Sequence, residues 1–170
     1  NKVTYLHETL ERIESTTSAG IGVMNYFEEG HPIWYMRGYE CTGIDSQTGD
    51  PIFKDMNDDG IIGDADQTEI GSAIPDFTYG ITLTAAWKGL DLTIFGSGSH
   101  GNDVFAGYNR TSRMKANTLK EFYDGRWTAV GDNAKYARSN PSNYDKYLKS
   151  SKFVFDGSYF KIKQIQLGYN

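Results

Sequence analysis

The amino-acid sequence predicts an all-β protein built from antiparallel strands. Aromatic residues make up 14% of its 170 residues, with 12 tyrosines, and glycines number 19. This composition is typical of sheets joined by turns. The longest regular pattern alternates with a period of two, which indicates strands and not helices. No apolar run approaches the roughly 20 residues of a membrane helix, but membrane-spanning strands alternate and look polar on average.

The clearest strand runs from Phe77 to Trp87, where large apolar residues at the odd positions alternate with Thr, Gly and Ala at the even ones. This is the length that a tilted membrane-spanning strand requires. Lys88 and Gly89 predict a tight turn, and the alternation resumes from Leu90 as the second strand of a hairpin. A soluble, half-buried hairpin would show the same pattern, so the alternation alone leaves both environments open.

A third strand is predicted from Ser158 to Tyr169. Its alternation changes phase between Ile162 and Ile165, which indicates a β-bulge at Lys163 and Gln164. Weaker patterns predict four short strands in the first part of the chain. These are Val3 to Leu6, Leu10 to Ser15, Gly22 to Phe27 and Ile33 to Tyr39.

Two long polar stretches, about residues 42–76 and 102–156, lie between the strands. Loops of this length are usually functional or exposed. The second stretch contains one predicted short helix, with Asn117 as its cap and Leu119, Phe122 and Tyr123 on one face. Short turns at one end of the strands and long loops at the other are typical of outer-membrane barrels.

Residues 55–66 place oxygen ligands at the spacing of a twelve-residue calcium loop. The predicted ligands are the side chains at positions one, three, five and twelve and the main-chain carbonyl at position seven. In that order they are Asp55, Asn57, Asp59, Asp66 and Ile61. Gly60 stands at the sixth position, where the loop must turn sharply. The last ligand is an Asp and not a bidentate Glu, so we expect a structural Ca²⁺ site of modest affinity.

A second interpretation of the same loop needs no metal. Acidic loops rich in Asn and Gly also occur as solvated turns held by side-chain to main-chain hydrogen bonds. Residues 48–51 and 71–75, rich in Gly and Pro, flank the loop and leave no room for helices on either side. We therefore expect an isolated loop and not a pair of helical EF-hands.

Other function classes find little support. The net charge of −5, from 17 basic and 22 acidic residues, argues against binding of nucleic acid. The single cysteine, Cys41, excludes an internal disulfide. The histidines His7, His31 and His100 are too scattered for a zinc site or a nucleophilic triad. The glycine pattern of residues 96–101 is not followed by the helix that a dinucleotide site requires. We therefore predict no catalytic residues and no enzyme.

A series of short motifs occurs along the chain in a fixed order. They are Glu29 to Ile33, Gly38-Tyr39, Gly43-Ile44, the loop 55–66, Ile70-Gly71, Pro75 to Gly80, Lys88 to Leu92, Gly101 to Asp103, and Asp156 to Tyr159 with Leu167 to Asn170. Together they resemble the C-terminal barrel portion of SusC/RagA-type TonB-dependent outer-membrane transporters. The resemblance covers nearly the whole chain from about Glu28 onward.

The resemblance implies a large antiparallel β-barrel in the lipid of the bacterial outer membrane, with an N-terminal plug domain. Such proteins import glycans or peptides with energy from the TonB system and usually carry a SusD-like surface lipoprotein. The resemblance also implies that Lys88-Gly89 is a periplasmic turn and that residues 42–76 and 102–156 are extracellular loops. Neither a plug nor a TonB box occurs in the sequence, so we expect residues 1–170 to be a fragment of the barrel.

Two alternatives remain open at this stage. One is a secreted or surface-exposed β-rich carbohydrate-binding module with a dockerin-like calcium loop. In that module Trp127, Tyr136, Tyr144 and Tyr147 would stack on sugars, although such residues more often pack a long loop onto itself. The other is a small eight-stranded adhesin barrel, which the six or seven predicted strands oppose.

Overall fold

The computed structural model describes residues 2, 4, 12–15, 24–107 and 118–170. These residues form strands with two short helices, which confirms the predicted all-β class. The strands are β1 (Ile13–Ser15), β2 (Asn25–Phe27), β3 (Tyr35–Tyr39), β4 (Cys41–Ile44), β5 (Pro51–Phe53), β6 (Gln67–Gly71), β7 (Phe77–Trp87), β8 (Leu90–His100), β9 (Asp103–Phe105), β10 (Val154–Asp156) and β11 (Tyr159–Tyr169). The helices are α1 (Lys120–Asp124) and α2 (Tyr144–Leu148), and 3₁₀ turns lie at Asp64–Asp66 and Ser151–Phe153.

The three long strands form one antiparallel sheet in the order β11-β8-β7. The predicted hairpin is confirmed, because β7 and β8 pair along their whole length from Phe77 with His100 to Trp87 with Leu90. The turn residues Lys88 and Gly89 both have positive φ, of 46° and 84°. This is the turn geometry that matches the twist of a hairpin. A Cβ on Gly89 would lie 2.5 Å from the carbonyl oxygen of Asn170, so glycine is required there.

The two faces of this sheet differ sharply in polarity, because residues that pair across strands share a face. One face is apolar. It carries Tyr79, Ile81, Leu83, Ala85 and Trp87 of β7, Leu90, Leu92 and Ile94 of β8, and Phe160, Ile162, Ile165, Leu167 and Tyr169 of β11. The opposite face is polar over most of its area. It carries Thr78, Thr82 and Thr84, Asp91, Thr93, Ser97 and Ser99, and Lys161, Gln164 and Gln166.

The predicted bulge in β11 is confirmed. The pairing of β11 with β8 shifts between Ile162, which pairs with Gly96, and Gln164, which pairs with Phe95. Lys163 is the extra residue. Because the bulge changes the phase of the strand, Ile162 and Ile165 both reach the apolar face although they are three positions apart.

Shorter strands form the rest of the described structure. β1, β2, β3 and β6 make a four-stranded sheet, while β4 pairs with β5 and β9 with β10. The strands β1, β2 and β3 lie within three of the four weak sequence predictions. The fourth, Val3 to Leu6, falls mostly outside the described residues. No helix in the described ranges is long and apolar enough to cross a membrane.

The hydrophobic core cluster lies in the second polar stretch and not in the long strands. Its buried members come from residues 102–156 and from the segment before β2, and partly buried residues of the first stretch pack against them. The buried members are Met24, Ala106, Phe122, Tyr136, Ala137, Tyr147, Leu148 and Phe153. The two stretches predicted as long loops fold in part into short strands and helices around a common core. Their elements are three to five residues long, too short for a periodic pattern to show in the sequence.

The predicted helix near residue 119 exists as α1, with Leu119 as its N-cap. The predicted cap, Asn117, lies outside the described residues. The predicted apolar face is only partly right. Phe122 is buried in the core, whereas Leu119 and Tyr123 are exposed.

Candidate functional site

The acidic loop is curled by hydrogen bonds between its own side chains and main chain. Asp55 accepts hydrogen bonds from the amides of Gly60 at 2.7 Å and Asn57 at 3.3 Å. Gly60 has a φ of +79°, which the sharp turn at position six requires. The amide of Ile61 donates to Asp59 at 2.7 Å, and the amide of Asp59 donates to Asn57 at 3.2 Å. The side chains at positions one, three and five therefore each accept a hydrogen bond from a main-chain amide of the loop.

Asp66 at position twelve is fully buried. Its two carboxylate oxygens accept hydrogen bonds from the amides of Met56 at 2.8 Å and Gly63 at 2.7 Å. The hydrogen bonds from these amides hold the pKa of the Asp66 carboxyl below its ordinary value, and the one from Gly63 has the largest effect. Asp66 thus closes the loop by joining its second and ninth positions.

The five predicted ligands lie in one curled loop, and all would offer hard oxygen donors of the kind that Ca²⁺ prefers. The same oxygens also satisfy the loop amides, which is the metal-free interpretation given above. In the part of the chain that the structure describes, no group of three or more His, Cys, Asp or Glu side chains is arranged to hold a metal ion. A calcium site here would therefore depend on the Asn57 amide oxygen and the Ile61 carbonyl as well as on carboxylates.

The acidic loop also contacts the second long stretch. Lys146 of α2 donates a hydrogen bond to the carbonyl of Ile62 and lies 6.0 Å from the centre of the Tyr39 ring. The Tyr39 hydroxyl in turn donates to Asp64 at 3.2 Å. One lysine of the second stretch is thus placed against a loop with five aspartates.

A second contact between the two stretches is made by Trp127 and Gly49. The indole of Trp127 lies where a Cβ of residue 49 would be, with ring carbons 2.5 Å and 2.6 Å from that position. The indole nitrogen donates to the carbonyl of Ser46 at 2.9 Å, and that carbonyl also accepts from the amide of Gly131 at 2.8 Å. Gly49 has a φ of +74°, so both its backbone and its lack of a side chain suit this contact.

A third contact joins Arg138 and Asp50. The guanidinium Nε of Arg138 donates to Asp50 Oδ1 at 2.8 Å, and the amide of Ser142 donates to the same oxygen at 2.8 Å. The hydrogen bond from Arg138 is the main reason why the pKa of Asp50 lies below its ordinary value. The amide of Arg138 also donates to the carbonyl of Gly49 at 2.9 Å.

The aromatic residues considered for sugar stacking pack against other parts of the two stretches. Tyr136 and Tyr147 are only 3% and 4% exposed. Tyr136 packs edge-on against Phe122, and the Tyr147 hydroxyl accepts a hydrogen bond from the amide of Ala137 at 3.2 Å. Trp127 covers Gly49, and Tyr144 packs partly buried against the core. Tyr136 and Tyr147 are therefore too buried to stack on sugars, and the carbohydrate-binding alternative loses these two residues.

Sequence reasoning found the acidic loop but missed the contacts across the two stretches. The partners are 81 to 92 residues apart in the chain. No local spacing links residues so distant. The only local signal is the Thr48-Gly49-Asp50 turn, which marks a bend but not what packs against it.

Comparison with known proteins supports the class that the sheet suggests. No family model matches the chain. TonB-dependent receptor P26 of Formosa agariphila is 29% identical over 124 residues, which cover 72% of this chain and 12% of the receptor. TonB-dependent receptor P3 of the same organism is 29% identical over 161 residues, which cover 84% of this chain and 15% of the receptor. The chain thus spans only a small part of the length of these curated relatives.

The fold is also similar to part of a solved structure, described as the RagAB peptide transporter. The TM-score is 0.71 at 20% sequence identity, over 99% of this chain and 19% of that one. These comparisons confirm the predicted resemblance to TonB-dependent transporters. They also confirm the predicted class of outer-membrane β-barrel strands and the predicted location in the bacterial outer membrane.

Proposed function

We propose that this chain forms part of the wall and the loops of a TonB-dependent importer of oligomeric nutrients in the outer membrane. The observation that carries the proposal is the sheet β11-β8-β7. Its strands each have eleven residues. At about 3.3 Å per residue and a tilt near 45°, such strands span about 25 Å, the height of the apolar band of these barrels.

The apolar face of this sheet is exposed to an extent that is unfavourable in water. Leu83 is 62% exposed, Ile165 67% and Leu167 71%. A continuous apolar face of this size suits lipid, whereas in a soluble module it would be an aggregation risk. Aromatic residues stand near the two ends of the face, with Phe77 and Tyr79 at one end and Trp87 and Tyr169 at the other, as in the aromatic girdles of barrels.

The edges of the sheet support a larger barrel. Among the described residues, β7 and β11 each have a paired strand on one side only. An unpaired edge in lipid leaves main-chain donors and acceptors without partners, which only closure with neighbouring strands resolves. In this arrangement Lys88-Gly89 is a periplasmic turn. The stretches 42–76 and 102–156 then lie outside the cell, and the polar face of the sheet lines the interior.

The imported substrate in this proposal is a glycan or a peptide. The partners are a SusD-like surface lipoprotein, a plug domain and the TonB system that acts on the plug. The similar solved structure is described as a peptide transporter, and the curated relatives are described as receptors. None of these descriptions names an enzyme, and we propose transport without catalysis by this chain. We further propose that the loop 55–66 binds Ca²⁺ and so stiffens the extracellular side.

The proposal is tested with the full-length protein that contains this chain. We would purify it in detergent and measure binding of defined oligosaccharide and oligopeptide pools by calorimetry. We would then compare uptake of the bound pool in cells with and without an intact TonB system. Binding of one pool and uptake that needs TonB are the expected results. A protein that stays soluble and monodisperse without detergent, or uptake that is unchanged without TonB, would contradict the proposal.

A further inference from the structure

We infer that residues 41–72 and 118–153, here called the cap, form one cooperative folding unit that opens independently of the sheet β11-β8-β7. Each half of the cap comes from one of the two long stretches. The inference concerns how the molecule moves and does not depend on which nutrient it takes up. It predicts that a substitution that raises hydrogen exchange in one half of the cap also raises it in the other half. Hydrogen exchange in the long strands is expected to stay unchanged.

The core cluster lies mainly in the cap. Its buried members from residue 106 onward all belong to the second stretch, and Cys41, Ile44, Phe53 and Ile70, in or next to the first stretch, pack against them. The long strands contribute no member of this cluster within the described residues. Since regions that share buried apolar contacts tend to unfold together, the two stretches are expected to behave as one unit.

Several specific contacts join the two halves of the cap. Trp127 occupies the space beside Gly49, Arg138 pairs with Asp50, and Lys146 donates to Ile62. In addition, the amide of Cys41 donates to the hydroxyl of Ser151 at 3.0 Å. These contacts are spread over the length of the cap, so each half loses hydrogen bonds if the other departs.

All three connections between the cap and the sheet are irregular at the same level. β7 is preceded by Pro75-Asp76, β8 is followed by Gly101-Asn102, and β11 is preceded by Gly157-Ser158. The ladders of the long strands stop at this level and those of β9 and β10 begin beyond it, with Asp103 paired to Asp156. At this level the regular ladder is interrupted, and it is bridged by hydrogen bonds from the amide of Gly157 to the carbonyl of Asn102 at 2.8 Å and from the amide of Gly101 to the Ser158 hydroxyl at 3.0 Å.

The test is hydrogen exchange with mass spectrometry on the full-length protein in detergent, comparing Gly49→Ala with the wild type. The new methyl group would meet the Trp127 ring, so exchange is expected to rise about tenfold or more in both 43–50 and 126–138, and not in 78–99. Gly30→Ala is the control for backbone strain. Gly30 also has a positive φ, of 85°, but lies outside the cap with no atom within 4 Å of the added Cβ.

A second variant, Arg138→Gln, removes the ion pair with Asp50 without adding volume. It places the substitution in the second half of the cap, whereas Gly49→Ala lies in the first. It is expected to raise exchange in 43–50 as well as around residue 138. If either variant raises exchange only in the half that carries the substitution, the halves are independent and the inference is wrong. It is equally wrong if exchange in 78–99 rises together with that of the cap.

Discussion

The rings of Tyr79 and Phe160 stack on the apolar face of the sheet, with centroids 5.9 Å apart and planes within 5° of parallel. They belong to β7 and β11, and both are paired with Gly98 of the strand between them. A Cβ on Gly98 would lie 2.8 Å from the Tyr79 ring and 2.2 Å from the carbonyl oxygen of Tyr159. The glycine thus lets two large rings meet across the middle strand.

Replacing Gly98 with Ala is expected to destabilise the sheet by about 1–3 kcal/mol, because the methyl group overlaps both a ring and the main chain. The measurement is the free energy of unfolding of the full-length protein in detergent. Gly43→Ala is the matched control, since no atom lies within 4 Å of a Cβ there and its φ is not positive. Equal stability of the two variants would mean that the close packing around Gly98 is not present in solution.

Leu83 and Thr82 are neighbours near the middle of β7 and face opposite sides of the sheet. If the apolar side meets lipid, Leu83→Lys is expected to cost about 2–4 kcal/mol near the middle of the membrane. Thr82→Lys faces the interior and should change the stability by less than about 1 kcal/mol. Urea unfolding in lipid vesicles measures both. A larger loss for Thr82→Lys would reverse the assignment of the two faces.

The proposed calcium loop gives a separate prediction. Replacing Asp55 and Asp59 together with Ala is expected to abolish the heat of Ca²⁺ binding measured by calorimetry, because positions one and five supply carboxylate ligands. Asp91→Ala removes a carboxylate elsewhere and should leave that heat unchanged. Unchanged Ca²⁺ binding by the double variant, or no binding by the wild type, would leave the loop as a turn held by its own hydrogen bonds.

The sequence allowed the long strands, their turn and the bulge to be predicted because each depends on local alternation. Phe77 to Trp87 repeats one pattern over the whole strand, and the phase change near Lys163 is visible in a single line of residues. The loop 55–66 could also be predicted, since its spacing is local. The cap could not, because the ties of Trp127 to Gly49 and of Arg138 to Asp50 join short elements that are distant in the chain and carry no period.

The Arg138 to Asp50 tie predicts a dependence of stability on pH. The pKa of Asp50 in the folded protein lies below its ordinary value of 3.8, mainly because Arg138 donates to the ionised form. At pH values near these two pKa values, Asp50 is therefore protonated to a greater extent in the unfolded chain than in the folded protein. The contribution of this ion pair to the free energy of unfolding is fully present above the ordinary pKa of Asp50. It is lost as the pH falls through the lower pKa of the folded protein.

We expect the wild type to exceed Asp50→Asn in cap stability at neutral pH and this difference to shrink on acidification below about pH 4. Urea unfolding at several pH values measures it, followed by the fluorescence of Trp127 in variants whose other tryptophans are replaced by Phe. Arg138→Gln should reduce the pH dependence in the same way, since it removes the group that lowers the pKa. Parallel pH curves for the wild type and Asp50→Asn would show that the ion pair contributes nothing.

The bulge in β11 predicts opposite effects on membrane assembly for two single-residue deletions. If Lys163 is deleted, the apolar residues of the strand alternate regularly with polar ones. These apolar residues are Phe160, Ile162, Ile165 and Leu167. Ile162 and Gln164 would keep their partners Gly96 and Phe95. The variant lacking Lys163 is therefore expected to fold and to assemble in the membrane like the wild type. Deleting Gln166 instead would bring Ile165 and Leu167 next to each other, so one of them must face the polar side.

Because a slip of one residue moves every following side chain to the other face, the variant without Gln166 is expected to assemble poorly. Heat-dependent mobility in gel electrophoresis and resistance to added protease measure assembly for both variants, which lose one residue each from the same strand. If the deletion of Lys163 is the more harmful of the two, the extra residue does more than set the phase. Its side chain or the local bend would then be needed for folding.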